Sequence, residues 1–108
     1  MGYEFPRILK CFFEHTSLYG ITFTDNGRTC TGLCKAPKVL FVTTRGMDIP
    51  TGDPHEHATP YLRALGSLWG FGELTTISAW NMDYSSAEEI EAKISACITE
   101  GIELARSW

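Results

Sequence analysis

An α/β fold is predicted by three observations along the chain. In the run KVLFVTT, every residue after Lys38 is apolar or β-branched, the pattern of a strand covered on both faces, and ELTTISA is a second strand rich in β-branched residues. Between them, TPYLRALGSLW has apolar residues at helical spacing. A strand, a helix and a strand in this order predict a βαβ unit with two parallel strands. The length of 108 residues predicts one domain, residues 1–108.

Two helices are predicted before the second strand. The segment FPRILKCFFEHTSLYG predicts an opening helix, with Pro6 in its first turn and Gly20 at its C-terminal cap. In the helix between the strands, Thr59 is the expected N-cap and Pro60 the first helical residue. The apolar stripe of the opening helix is expected to comprise Ile8, Leu9, Phe12, Phe13 and Thr16.

A small hairpin and a long closing helix complete the predicted order. In ITFTDNGRTCTGL, the pair Asn26-Gly27 is a strong turn signal between two short, mostly exposed strands. In the closing segment, Ser86 and Glu89 have the spacing of a capping box. The apolar face of this helix, which is expected to cover both long strands, comprises Ile90, Ile94, Cys97, Ile98 and Ala105.

Composition excludes several classes of partner. A formal net charge of −4 argues against binding nucleic acid or an anionic membrane surface. No apolar run approaches the roughly 20 residues that span a bilayer, and the N-terminus lacks the layout of a signal peptide. These observations predict a cytoplasmic protein, in which the four cysteines are expected to be reduced and structural.

The first long strand ends in the polar, turn-rich stretch TTRGMDIPTGDP. One interpretation of Thr44, Arg45 and Gly46 is a simple turn. The other is a ligand site, because ligands of open α/β sheets bind at the carboxyl ends of parallel strands. Nearby, DPHEHATP offers His-x-His and carboxylates that could bind a metal, although a solvated segment is favoured.

Several motifs resemble, in order, the C-terminal half of the FMN-dependent NADH-azoreductases of the flavodoxin-like quinone-reductase superfamily. They are YEFPRILKCFFEH, GITFTDNG, GLCKAPKVLFVTTRGM, TPYLRALGSLWGFG and LTTISAWN. The resemblance runs from Gly2 to about Asn81. It implies a partial flavodoxin-like three-layer sandwich, with the last two parallel strands of the sheet, the last three helices and a small hairpin.

The resemblance also implies a function. Its members transfer hydride from NAD(P)H to quinones or azo dyes by a ping-pong route through FMN, and they work as homodimers. Their loop after the fourth strand, which faces the pyrimidine side of the flavin ring, corresponds here to Thr44, Arg45, Gly46 and Met47. Their other ring-facing loop corresponds to Gly2 and Tyr3. Three large aromatic residues could stack on the flavin or on an aromatic substrate, but positions in a core or interface are favoured for them: Trp69, Phe71 and Trp80.

The sequence departs from the family at informative positions. Gly2 stands where the family has Asn, Met47 replaces a glycine, and Trp80-Asn81 stands where Glu-Gly is frequent. The first strand with its serine-containing phosphate loop has no counterpart, and there is no P-loop or GxGxxG motif. FMN is therefore expected to bind weakly or not at all to this chain alone.

These departures leave two hypotheses open. In one, the chain is the C-terminal portion of a flavin enzyme and acts with an N-terminal half supplied by another chain. In the other, it is a non-catalytic α/β module or truncated gene product. In both, the unguarded edge of residues 39–44 is expected to pair with a second copy, antiparallel across a two-fold axis.

Overall fold

The computed structural model describes residues 5–108. Three helices and four strands follow one another, with a short 3-10 turn, Met82–Tyr84, before the last helix. In chain order they are α1 (Arg7–Thr16), β1 (Phe23–Asp25), β2 (Cys30–Gly32), β3 (Lys38–Thr44), α2 (Ala58–Trp69), β4 (Glu73–Ala79) and α3 (Ala87–Arg106). None of the helices in this range combines the length and hydropathy needed to cross a lipid bilayer.

The strands form two small sheets. β3 and β4 are parallel, in a register that pairs Lys38 with Glu73 and Thr44 with Ala79, and α2 connects them. The predicted βαβ unit is therefore confirmed. β1 and β2 are antiparallel around the Asn26-Gly27 turn, with Gly27 in the left-handed region, which confirms the predicted hairpin.

An aromatic cluster forms the core on one face of the β3–β4 sheet. The Phe5 ring lies 5.3 Å from Phe13, 5.4 Å from Phe41 and 5.7 Å from Tyr61, measured between centroids in edge-on geometry. This is a favourable arrangement for aromatic pairs. Leu62 and Leu65 of α2 are buried against the same cluster. Phe5 thus joins α1, β3 and α2 into one packed layer.

α1 is shorter than the sequence predicts. It ends at Thr16 with Ser17 as its C-cap, because the hydroxyls of both residues donate to carbonyls of the last turn. Gly20 is not the cap; it has φ +80° in the turn that follows. Pro6 is not in the first turn but occupies the N-cap position. The predicted stripe is only partly enclosed, since Phe13 packs inward while Ile8 is exposed.

The two other helices begin with different chemistry. α2 has His57 at its N-cap position, so Thr59, expected there, is already helical, and its hydroxyl donates to Glu56 instead. For α3 the predicted capping box is confirmed. The Ser86 hydroxyl accepts from the Glu89 N–H at 3.2 Å, and the Ser86 N–H donates to the Glu89 carboxylate at 3.3 Å.

The opposite face of the sheet is only half covered. α3 packs on β4, where Ile77 is 4% exposed, and leaves Val42 of β3 64% exposed. The expectation that the last helix covers both strands is therefore wrong. The expectation that β3 is covered on both faces is wrong for the same reason. Ile94 and Ile98 of α3 are also exposed, so the face assigned to them as core lies open.

The molecule is elongated, and two apolar hollows lie along its sheet. Its radius of gyration is 16.2 Å, whereas a compact domain of this length has about 13 Å. An apolar groove of about 410 Å³ runs between Leu40 of β3 and the end of α3, reaching Trp108. A second apolar cavity, of about 240 Å³, lies on the other sheet face beside Phe5 and Val39. Both flank the free edge of β3, the edge that no strand within residues 5–108 pairs with.

Candidate functional site

Two loops leave the same edge of the β3–β4 sheet. Because the strands are parallel neighbours, and Thr44 pairs with Ala79, the chain emerges from both strands side by side. The first loop, residues 45–57, leads into α2, and the second, residues 80–86, leads into α3. In open α/β sheets this edge is where ligands bind.

Backbone hydrogen bonds join the two loops. Each pairs an N–H of one loop or strand end with a carbonyl of the other, at 2.8–3.1 Å. They are Arg45 N to Ala79 O, Asn81 N to Met47 O, Met82 N to Arg45 O and Asp83 N to Gly46 O. Bonds of this kind fix the relative positions of both loops. The loops therefore form one continuous surface.

The outer part of this surface carries free polar groups. Thr44 and Met47 are exposed, and Gly46 is half-buried. Within residues 5–108, the N–H groups of Gly46 and Met47 find no acceptor, although the carbonyls of both residues are used by the second loop. One hydroxyl and two amide donors thus stand together at the strand end. This set suits a flat ligand edged with carbonyl and imine acceptors.

Arg45 belongs to the interior of the first loop. Its side chain is 4% exposed, and its guanidinium donates to the Ile49 carbonyl at 3.0 Å, to the Thr51 hydroxyl at 3.1 Å and to the Glu56 carboxylate at 3.0 Å. The Thr51 hydroxyl is 2.8 Å from that of Ser78 on β4. Arg45 therefore serves the site by shaping the loop, and its charge is turned away from the surface.

Glu56 is a buried residue of the first loop that the sequence reasoning did not single out. Its side chain is fully enclosed, whereas the segment DPHEHATP was expected to be solvated. The carboxylate accepts from Arg45 and from both the N–H and the hydroxyl of Thr59 in the first turn of α2. The pairing with Arg45 and the position near the N-terminus of α2 offset the free-energy cost of burying the negative charge of Glu56.

The metal interpretation of the same segment gains no support in the described range. Residues 5–108 contain no group of three or more His, Cys, Asp and Glu side chains able to hold an ion. Instead, Asp53 accepts from the His55 N–H at 2.8 Å, and this bond is the largest cause of the lowered pKa of the Asp53 carboxyl. Asp53 and His55 thus help to turn the chain towards α2.

Gly46 lies where the two loops come closest together. A Cβ at this position would overlap the carboxylate of Asp83, so the absence of a side chain lets the second loop approach the first. Glycine here supports the bond from Asp83 N to Gly46 O at 3.0 Å.

A lysine on α3 holds both ends of the second loop. Lys93 Nζ donates to the Trp80 carbonyl at 2.9 Å and to the Ser85 hydroxyl at 2.7 Å, and Ser85 in turn donates to the Asn81 carbonyl. Asn81 itself has φ +59°, a conformation that Asn tolerates better than most residues. Trp80 is 37% exposed and borders an adjacent cleft of about 230 Å³ between β4 and α3.

The predicted site residues fall into two groups. Thr44, Gly46 and Met47 meet at the joined loops, with Arg45 holding them from within. Gly2 and Tyr3 lie outside the described residues. Of the aromatic residues considered, Trp69 packs against Phe13 and donates to Ser17, as expected for a core residue.

Comparison with known proteins places the chain in a family. A family model described as "Flavodoxin-like fold" matches residues 2–100. A Clostridium perfringens protein named FMN-dependent NADH:quinone oxidoreductase is 30% identical over 105 residues, which are 97% of this chain and 52% of that protein. A Coprothermobacter proteolyticus protein of the same name is 29% identical over 107 residues, covering 95% of this chain and 52% of its own length.

A solved structure has the same fold. The azoreductase from Bacillus anthracis str. Sterne superposes with a TM-score of 0.78 at 19% identity, over 97% of this chain and 51% of that one. The chain thus spans about half the length of the relatives it matches. Since the family model covers nearly all of its residues, the chain belongs to the flavodoxin-like family whose relatives include FMN-dependent NADH:quinone oxidoreductases.

Proposed function

We propose that this chain supplies the ring-facing, C-terminal part of an FMN-dependent NADH:quinone oxidoreductase. The observation that carries the proposal is the joined pair of loops, with the Thr44 hydroxyl and the N–H groups of Gly46 and Met47 at the carboxyl ends of two parallel strands. Flavin mononucleotide has carbonyl oxygens and ring nitrogens at its pyrimidine edge. These are the acceptors that such donors suit.

The donor groups at the strand ends suggest separate roles for the protein and the flavin. Thr44, Gly46 and Met47 would hold the pyrimidine edge of the ring, and the hydrogen-bonded second loop would keep them in place. FMN, when bound, supplies the hydride chemistry, and the protein supplies orientation and electrostatics. Met47, 37% exposed, would cover part of the ring with a polarizable thioether. Gly2 and Tyr3 are proposed to face the ring from the other side.

The phosphate of FMN must be held elsewhere. The sequence has no glycine-rich phosphate loop, and the cations nearest the site, Arg45 and Lys93, are already engaged by protein groups. We therefore propose that a complementary N-terminal portion of the fold, carrying the phosphate cradle, pairs with the free edge of β3. The apolar groove and cavity that flank this edge would receive its helices.

Self-association is the proposed state in the absence of that portion. The edge of β3 has no charged residue between Val39 and Thr44, and Val42 is exposed. A second copy pairing antiparallel across a two-fold axis would cover it. This feature also supports the second candidate function, a non-catalytic module that assembles through its sheet edge.

The proposed compartment is the cytoplasm. All four cysteines are free thiols, including Cys11 and Cys30 at exposed positions. Free exposed thiols are typical of a reducing compartment. The proposed electron donor, NADH or NADPH, is abundant there.

The test is a chimera. In the Clostridium perfringens relative, the segment that this chain matches is replaced by this chain, and NADH oxidation with a benzoquinone acceptor is measured. We expect turnover and a flavin absorption band in the chimera, and neither in the isolated chain. A folded chimera, verified by circular dichroism and by mass, that contains no flavin would contradict the proposed function and favour the non-catalytic module.

A further inference from the structure

We propose that Glu56 is a positioning residue for the flavin ring, acting through Arg45; this inference rests on the proposed function. Glu56 lies at the start of α2, and touches none of the three groups proposed to hold the ring. Its effect would be indirect. It fixes the guanidinium that gives the ring-facing loop its shape.

The first step of the argument is the position of Arg45 between the loops. Its N–H donates to the Ala79 carbonyl at 2.9 Å and its carbonyl accepts from Met82 at 3.1 Å. The backbone of Arg45 is therefore held on both sides by the second loop. Thr44 and Gly46, its immediate neighbours, carry proposed contacts to the ring. Any rotation of Arg45 would displace both.

The second step is that only a forked donor can make the side-chain contacts. One guanidinium reaches the Ile49 carbonyl, the Thr51 hydroxyl and the Glu56 carboxylate, which belong to three separate points of the loop. A lysine ammonium is a single point at the end of a flexible stem. Through Thr51 and Ser78 the network also reaches the carboxyl end of β4. The whole turn from β3 to α2 is thus organised around this guanidinium.

The third step is the burial of the pair. The side chains of Arg45 and Glu56 are 4% and 0% exposed, and no buried side-chain nitrogen or oxygen within residues 5–108 lacks a partner. Buried ion pairs contribute little net stability compared with apolar replacements, although leaving one partner unpaired is costly. Stability alone is therefore a weak explanation for this pair. Fixing one loop conformation is a function that an apolar pair would not supply.

The test compares Arg45→Met, Glu56→Gln and the double variant in the flavin-free chain. Hydrogen exchange is measured at the N–H groups of Met82 and Asp83, which bond to the first loop, and at those of Thr43 and Ile77, which the parallel register places in bonds between β3 and β4. The double variant leaves no buried charge unpaired. We expect exchange at Thr43 and Ile77 within about twofold of the parent, and exchange at Met82 and Asp83 faster by at least about tenfold.

A matched control and a second variant keep the test decisive. Glu103→Gln removes the exposed pair with Arg106 and is expected to change neither set of amides. If the double variant does not fold, Arg45→Lys decides, because it keeps the buried charge but lacks the fork. Parent-like exchange at Met82 and Asp83 in a folded double variant, or in Arg45→Lys, would overturn the proposal.

Flavin affinity separates this inference from the function on which it rests. In the chimera, Glu56→Gln is expected to weaken binding of lumiflavin, the flavin ring without phosphate, by roughly tenfold, or about 1.4 kcal/mol. A parent chimera that binds no flavin contradicts the proposed function, while the exchange data still test the loop. Lumiflavin binding of equal strength in the parent chimera and in Glu56→Gln would overturn the positioning role only.

Discussion

The N–H of Asp83 donates to the carbonyl of Gly46 at 3.0 Å, and the Asp83 carboxylate occupies the space where a Cβ of residue 46 would lie. This contact joins the loops that follow β3 and β4. It explains why the turn needs glycine at a position where no left-handed backbone angle requires one, since Gly46 is absent from the positive-φ glycines of residues 5–108. The close approach of the loops, and through it the proposed ring-facing surface, depends on this pair.

Gly46→Ala is expected to separate the two loops. The new methyl group would displace the Asp83 carboxylate, and overpacking of this kind costs about 1–3 kcal/mol. Because Asp83 is exposed and has room to turn, we expect the lower end of that range. Urea denaturation measures the change. Combining Gly46→Ala with Asp83→Ala removes the obstacle and should restore most of the loss; failure to do so would show that the Cβ meets something else.

Gly32→Ala is expected to be more damaging. A Cβ there would overlap the backbone of Trp69 and Gly70 at the end of α2, where Cys34 donates to the Trp69 carbonyl at 2.8 Å. Backbone cannot move aside as a side chain can, so the hairpin should lose its contact with α2, at a cost of at least about 1–3 kcal/mol. Unchanged thermal unfolding of this variant would contradict the docking of the hairpin.

Gly101→Ala is the matched control variant, and it is expected to raise the free energy of unfolding instead of lowering it. This glycine lies inside α3, and the nearest atom to an added Cβ is Cδ1 of Ile77 at 3.8 Å, an ordinary contact. Alanine is the better helix former, by about 0.5–1 kcal/mol. Stability in urea should therefore rise by that amount. A loss of stability would indicate that another molecule occupies the groove beside Gly101.

Truncation should cost more stability beneath α3, on β4, than on the exposed face of α3. Ile77→Ala, beneath the helix, is expected to cost about 2–5 kcal/mol because Ile77 is buried. Ile98→Ala should change the stability of the isolated chain by less than about 0.5 kcal/mol, since its side chain is exposed. Equal losses from both substitutions, measured by denaturation at low protein concentration, would show that the exposed face is covered in solution.

Acid should weaken the start of α3. The Ser86 hydroxyl, and then the Ser86 N–H, lower the pKa of the Glu89 carboxyl below its ordinary value of 4.5. A lowered folded-state pKa contributes stability that is present above pH 4.5 and is lost as the pH falls through the folded value. Glu89→Gln should flatten this part of the stability profile. An identical pH dependence in parent and variant would contradict the role of the capping box.

Local signals in the sequence were enough to predict the order and type of the helices and strands, but not all of their ends. The Ser86–Glu89 spacing and the Asn26-Gly27 turn carry their geometry within a few residues, so the capping box and the hairpin are predictable without knowledge of the fold. The end of α1 was not, because the hydroxyls of Thr16 and Ser17 compete for the last carbonyls and stop the helix before Gly20.

Tertiary contacts were harder to predict. Val42 has the pattern of a core residue, yet pattern alone does not tell whether a covering element is present, and in this structure it is exposed. Glu56 shows the reverse difference: a charged residue between two histidines and near two prolines predicts a solvated loop, but its side chain is buried. Its burial depends on a guanidinium 11 positions earlier in the chain. No local signal indicates that pairing, although the resemblance places Arg45 in the site.

The most direct test of the central claim compares two ligands of the isolated chain by fluorescence titration. If this chain holds the ring but not the phosphate, FMN and lumiflavin should bind with the same weak affinity, within about twofold. In the chimera, the phosphate should add about three charge-assisted hydrogen bonds of roughly 1.5–3 kcal/mol each, so FMN should bind roughly a thousandfold to a millionfold more tightly than lumiflavin. Submicromolar binding of FMN to the isolated chain, with lumiflavin much weaker, would contradict the account by revealing a phosphate site within these 108 residues.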